Sequence, residues 1–224
     1  MSTFLDAAQA TDKNNPLEHQ NKAWAYAWGL LSTEQQAEFL KRFRNSSDTA
    51  AKLNNPLAVQ YMSQRDNYRD ASRTCFSSSC AMLLKFLKPG SIKNDDDYIK
   101  VVFTFGDTTE GATQLAALKH FGLTASFVTN GNRTLIKKQI DSGKPVPAGF
   151  LHHGPVSQPS GGGHWLCIIG YDDTGYWVND PWGEADLLNG TYPNINGAKL
   201  HYSYKNFEPR WMADGPNTGW CIVA

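Results

Sequence analysis

The sequence predicts an α+β fold built around an antiparallel sheet. Helical patterning fills much of the first half, and most strand-like runs fall in the second. Two of those runs are joined by the turn Asp172-Asp173-Thr174-Gly175, which reads as a hairpin. The 224 residues suit one sizeable domain, alone or with a small appendage. A composition 41% hydrophobic and 12% aromatic is enough to build its core.

The chain divides at Asn54-Asn55-Pro56 into a helical segment, 1–55, and a mixed domain, 56–224. Residues 1–15 are small and polar. Pro16 opens a helix carrying Leu17, Trp24, Ala27, Trp28 and Leu31. Ser32 and Gln35 form an S-x-x-Q capping box for a second helix through Phe39, Leu40 and Phe43. Together these make a small helical hairpin. After Pro56, residues 57–64 read as a strand and 65–74 as a polar loop. Residues 75–88 form an apolar helix that ends at Pro89-Gly90. Helices follow at 95–103 and 111–121, a strand at 123–128, and a helix at 132–142 stopped by Gly143. Strands at 146–151, 165–171 and 176–179 come next, the first two separated by the glycine-rich loop 154–163. The last residues suit a final buried strand.

Charge excludes some functions. Twenty-one basic residues balance twenty-one acidic ones, so neither nucleic acid nor a membrane surface is an expected partner. The start has no basic n-region followed by an apolar run, and no apolar stretch approaches ~18 residues. The expected location is therefore cytoplasmic. Cys75, Cys80, Cys167 and Cys221 show no CxxC pair and no secreted-type framework, which suggests reduced thiols. No HExxH or Cys/His ligand cluster occurs, and Gly161–Gly163 lack the Lys-Ser/Thr of a phosphate loop. Neither a metal nor a cofactor is expected.

What remains is thiol chemistry. A thiol becomes a useful nucleophile when a base takes its proton and a third group orients that base. Cys75 and Cys80 compete for the first role within one helix. Cys75 opens that helix, where the dipole and free N–H groups stabilise a thiolate, whereas Cys80 sits among packing residues. His164 follows three glycines and opens a strand; His152 and His153 are its rivals. Asp180 lies at the far end of the hairpin that starts at His164, with Asn179 as the alternative on the opposite strand face. Gln64 precedes the loop before Cys75, and its amide can donate to an oxyanion. His153, Gly162, Gly163, Trp165 and Trp182 flank these positions and are expected to bind substrate. The loop 154–163 would form the rim of the cleft.

At these residues the chain resembles the C39-like branch of the papain-like cysteine peptidases, over roughly 57–183. YMSQRDN is similar to the family's strand-then-Gln entry. TCFSSSCAMLL is similar to its nucleophile helix, with Ser79 and Met82 matching, and GHWLCIIGY and VNDPWGE to its His and Asp blocks. The resemblance implies a papain-like α+β fold with Cys75 as nucleophile, His164 as base, Asp180 as orienter and Gln64 at the oxyanion. The chain departs from the family at Phe76-Ser77, where Gly-Pro is usual. The implied substrate is a peptide, from bacterial cell wall or from phage or bacterial protein, and a virion or assembly partner fits the same comparison. The alternatives are another thiol acyltransferase or amidase, and a non-catalytic adaptor on the same scaffold.

Overall fold

The computed structural model describes residues 27–38 and 55–224. Two compact units are present, Met1–Leu53 and Asn54–Ala224. In the first, the described residues hold two short helical stretches, 27–29 and 33–38. The capping box forms as expected: Ser32 N–H donates to Gln35 Oε1 at 2.9 Å, and Gln35 N–H to Ser32 Oγ at 3.2 Å. Leu17, Trp24, Phe39, Leu40 and Phe43 of the expected hairpin lie outside the described residues.

The second unit is a layer of helices on an antiparallel sheet. Helices α1 (Cys75–Leu87), α2 (Asp95–Phe105) and α3 (Gly111–His120) come first. They are followed by β1 (Ser126–Gly131), α4 (Arg133–Asp141), β2 (Val146–Phe150), β3 (His164–Tyr171) and β4 (Gly175–Asn179). The chain finishes with the small hairpin β5 (Glu184–Asp186) and β6 (Thr191–Asn194), then β7 (Leu200–Ser203), α5 (Tyr204–Trp211) and β8 (Gly219–Val223). The main sheet has the order β1-β8-β2-β3-β4-β7, every neighbouring pair antiparallel. The last strand thus enters the sheet between β1 and β2, one place in from its edge.

Helix α1 is the centre of the core. Every residue from Phe76 to Leu84 is buried, and the helix packs on β3. A helix apolar on all sides is stable only inside a core, and α2, α3 and the sheet enclose it. Of its three buried serines, Ser77 and Ser78 find partners, while Ser79 Oγ has none. Ser77 Oγ meets Thr108 Oγ1 at 2.6 Å and accepts from Gln114 Nε2 at 2.8 Å, and Ser78 Oγ donates to Asp95 Oδ2 at 2.6 Å. Asn94 and Asn132 cap α2 and α4 by accepting from Asp97 and Leu135 N–H.

Residues 57–64 differ from expectation. Burial alternates at Leu57 and Val59 and, one residue out of phase, at Met62 and Gln64, but residues 57–63 are extended chain and not a ladder strand. Isolated contacts hold it: Leu57 N–H to Ile169 O at 2.7 Å, Asn179 Nδ2 to Val59 O at 3.2 Å, and Gln64 N–H to Pro181 O at 3.0 Å. A side-chain amide occupies the place a neighbouring strand would take. Helix α5 and the β5–β6 hairpin have no counterpart among the expected elements.

Leu83 is fully buried at the centre of α1. Leu83→Ala is expected to cost about 2–5 kcal/mol of stability, read as a lower urea midpoint at unchanged slope.

Candidate active site

The register of β3 with β4 determines which side chains meet. Cys167 pairs with Asn179. Continued by one residue, that register sets Asp180 opposite Leu166, two residues from His164 and on the same face. The side chains then reach each other diagonally: His164 Nε2 donates to Asp180 Oδ1 at 2.6 Å. Asn179, on the other face, is buried in structural bonds to Val59 O and Lys199 N–H. Asp180 is itself held. Trp182 N–H donates to Oδ1 at 3.0 Å, the Tyr202 hydroxyl to Oδ2 at 3.4 Å, and the Asp180 N–H to Gly197 O at 2.8 Å.

With Nε2 engaged, Nδ1 is the ring nitrogen left for Cys75, which stands within side-chain hydrogen-bonding reach of His164. Cys75 is the first residue of α1 and is partly exposed, whereas Cys80, Cys167 and Cys221 are buried. Burial pushes the Cys80 thiol well up, and pushes that of Cys167 above the ordinary range too. Burial opposes a charge on His164, but the Asp180 carboxylate and the Cys75 sulfur outweigh it, and the imidazolium is pushed up from 6.5 to about 10. Phe150, paired with His164 across β2–β3, packs edge-on against the ring at 5.5 Å.

Cys75 and His164 open into a cleft of about 250 Å³, lined also by Gln64, Ser72, His152, His153, Gly163, Trp182 and Tyr192. Two larger hollows, of about 370 and 400 Å³, contain no thiol; chemistry therefore selects the smaller one. Gln64 is 1% exposed, and its Nε2 donates one N–H to Ala71 O at 2.7 Å. Trp182 is held by Arg65, whose guanidinium lies 3.9 Å over the ring and whose Nε donates to Trp182 O at 2.5 Å. His153 lies in the rim, its main chain bridged to Ser160. Gly161, at φ +104°, leaves no room for a Cβ beside the His153 ring.

Two expected contact residues fall elsewhere. Trp165 alternates to the face opposite His164 and stacks on Phe76 at 3.6 Å, so it packs the core and not the cleft. Gly162 is exposed and outside the cleft lining. The cleft also contains residues that the sequence reading gave no such place. Tyr192, on β6, packs edge-on to His164 at 5.7 Å, and His152 lies 5.5 Å from the same ring. His152 had entered only as a rival base. Burial, then the charges of His164, His153 and Arg210, hold its ring down to about 4. No sequence signal marks Tyr192, because it arrives from a hairpin whose strands are only three and four residues long.

Among the described residues no group of three or more His, Cys, Asp or Glu could hold a metal ion. No helix among them is long and apolar enough to cross a membrane.

Residues 56–215 match the model of the Peptidase_C39 like family. No curated protein matches the chain. Among solved structures, the fold is similar to one described as a C39-like peptidase from Bacillus anthracis. Identity there is 15%, with 75% of this chain and 94% of that one covered and a TM-score of 0.51. The peptidase domain of Streptococcus ComA, a bifunctional ABC transporter involved in quorum sensing, gives 17% identity, 74% and 96% coverage and a TM-score of 0.49. At such identity the likeness is one of fold.

Exposure orders the thiols. Iodoacetamide near neutral pH is expected to modify Cys75 first, with Cys80, Cys167 and Cys221 reacting only on unfolding. Peptide mapping by mass spectrometry checks this, and early labelling of Cys80 would contradict the geometry.

Proposed function

The chain belongs to the Peptidase_C39 like family, and from that footing we propose that it is a cysteine peptidase using Cys75, His164, Asp180 and Gln64. The observation that carries the reading is the 2.6 Å bond from His164 to Asp180, with Cys75 beside that ring in one cleft.

The chemistry follows from those positions. Cys75, as a thiolate beside the His164 imidazolium, attacks the carbonyl carbon of the scissile amide. The oxyanion that forms takes the Cys75 main-chain N–H, which α1 leaves unpaired at its first turn, and the second N–H of the Gln64 amide. His164 gives its proton to the departing amine, and a thioester remains on Cys75. Water then loses a proton to His164 and attacks the thioester, releasing the acid and restoring the ion pair. Asp180 holds the ring so that Nδ1 faces the sulfur throughout.

An extended peptide with small residues near the cleaved bond suits a cleft of about 250 Å³ walled by Trp182 and Tyr192. Peptidoglycan peptides and bacterial or phage proteins are the sources we put forward, and a virion or assembly partner belongs to the same proposal.

The test is incubation of wild type and Cys75→Ala with a peptide library and with peptidoglycan, followed by mass spectrometry of the products. Cys75→Ala is expected to abolish cleavage, His164→Ala to lower it about 100- to 10,000-fold, and Gln64→Ala about 100- to 1,000-fold, all with the fold intact. Asp180→Asn is expected to keep part of the activity, because an amide oxygen can still accept the ring N–H. Identical product profiles for wild type and Cys75→Ala would dismiss the reading.

The pH profile has a defined sign. A raised imidazolium keeps its proton through neutral pH and loses it as pH rises through about 10. Activity is therefore expected to persist well above 6.5, where an ordinary imidazole would have lost its charge, and to fall on the alkaline side. Asp180→Asn removes the favourable charge, so its alkaline limb should move to lower pH. Rates measured from pH 5 to 11 check both.

A further inference from the structure

Arg210 of α5 is 0% exposed, yet no carboxylate among the described residues forms an ion pair with it. Its guanidinium reaches four main-chain carbonyls instead. Nε donates to Leu187 O at 2.8 Å, Nη1 to Leu151 O at 2.9 Å and His153 O at 3.0 Å, and Nη2 to Gly154 O at 2.7 Å. The Arg210 carbonyl in turn accepts the Leu151 N–H at 3.0 Å. A planar fork of donors can serve several fixed acceptors at once, which a lysine ammonium on its flexible stem does poorly. Burial works against this cation, and the Asp186 carboxylate, which makes no ion pair with it, offsets only part of that.

The carbonyls belong to two pieces of chain that wall the cleft. Segment 151–154, after β2, carries His152 and His153. Leu187 lies in the β5–β6 hairpin, which carries Tyr192. The two pieces are also closed onto each other directly. Val156 N–H donates to Leu188 O at 2.9 Å, and Gly190, at φ +73°, lies where a Cβ would run into Gly154 and the His153 carbonyl carbon. Across this seam the His152 and Tyr192 rings are 6.1 Å apart, and each is within 6 Å of His164. The catalytic pair itself rests on other elements, α1 and the β3–β4 register.

We propose, on the premise of the peptidase reading, that Arg210 is a positioning residue for substrate. It acts through the main chain of 151–154 and 187 to set the His152–Tyr192 wall against the Cys75–His164 pair, and takes no part in the bond-breaking steps. Removing its fork lets the wall shift, which weakens substrate binding while the chemistry at the pair continues.

The experiment compares wild type, Arg210→Lys and Gly190→Ala, the last displacing the same seam from its other side. On a peptide that wild type cleaves, both variants should raise KM about tenfold and leave kcat within about threefold. NMR should show the His152, His153 and Tyr192 ring signals moved and the His164 Nε2–H proton still held on Asp180. Alkylation of Cys75 by iodoacetamide should keep its wild-type rate and pH dependence. An unchanged KM, a loss confined to kcat, or loss of that His164 proton signal would overturn the proposal. If wild type cleaves nothing, the peptidase reading fails, and the ring signals and alkylation still decide whether Arg210 sets the wall independently of the pair. If Arg210→Lys does not fold, Gly190→Ala decides by the same readouts.

Discussion

The antiparallel register in which Cys167 faces Asn179 decides which face each side chain of β3 and β4 takes. A slip of one residue would turn Asp180 away from His164 and present Asn179. The register is held from both sides, by β2 pairing with β3 and by β7 pairing with β4, with Asn179 tied to Val59 and Lys199 on the far face. The hydrogen bond between His164 and Asp180 is thus a consequence of sheet assembly, and the ring's raised affinity for its proton follows from it.

Helix α1 meets a second constraint. A helix buried over nine consecutive residues needs partners for its serines, and two of the three have them, Ser79 Oγ standing unbonded. Ser77 and Ser78 find Thr108, Gln114, Asn67 and Asp95, and Asn67 also donates to Thr74 Oγ1, beside Cys75, at 2.8 Å. That network fixes the start of α1 from below. Phe76 is absorbed by stacking on Trp165. The Phe-Ser pair that departs from the resembled family's Gly-Pro is therefore accommodated by packing behind the site, without displacing Cys75 from His164.

The cleft wall is the third part, and it comes from chain that the sheet does not order. Segment 151–154 has left β2, and the β5–β6 hairpin pairs only with itself. Arg210 supplies donors where no strand neighbour exists. One buried cation on four carbonyls fixes geometry that a ladder would otherwise provide, at the expense of desolvating its charge.

Periodicity and residue chemistry made much of this protein legible. The hydrophobic run after Cys75, the alternation through β3 and β4 and the turn between them placed helix α1 and the hairpin to within a residue or two. Cys75, His164 and Asp180 stood out because their types and order suit acyl transfer. The same cues misled at 57–64, where alternation reported burial but could not report a missing strand partner, and at Trp165, where nearness in sequence to His164 concealed the opposite face. Tyr192, Arg210 and helix α5 carried no local signal, since a tyrosine on a four-residue strand and an arginine in a polar helix look like surface. Their roles depend on which distant carbonyls and rings they meet. By itself the sequence determined local periodicity and the reactive groups, because those depend on covalent order. Only the tertiary structure decided sheet order, register and the wall of the cleft, because these arise from contacts between segments far apart in the chain.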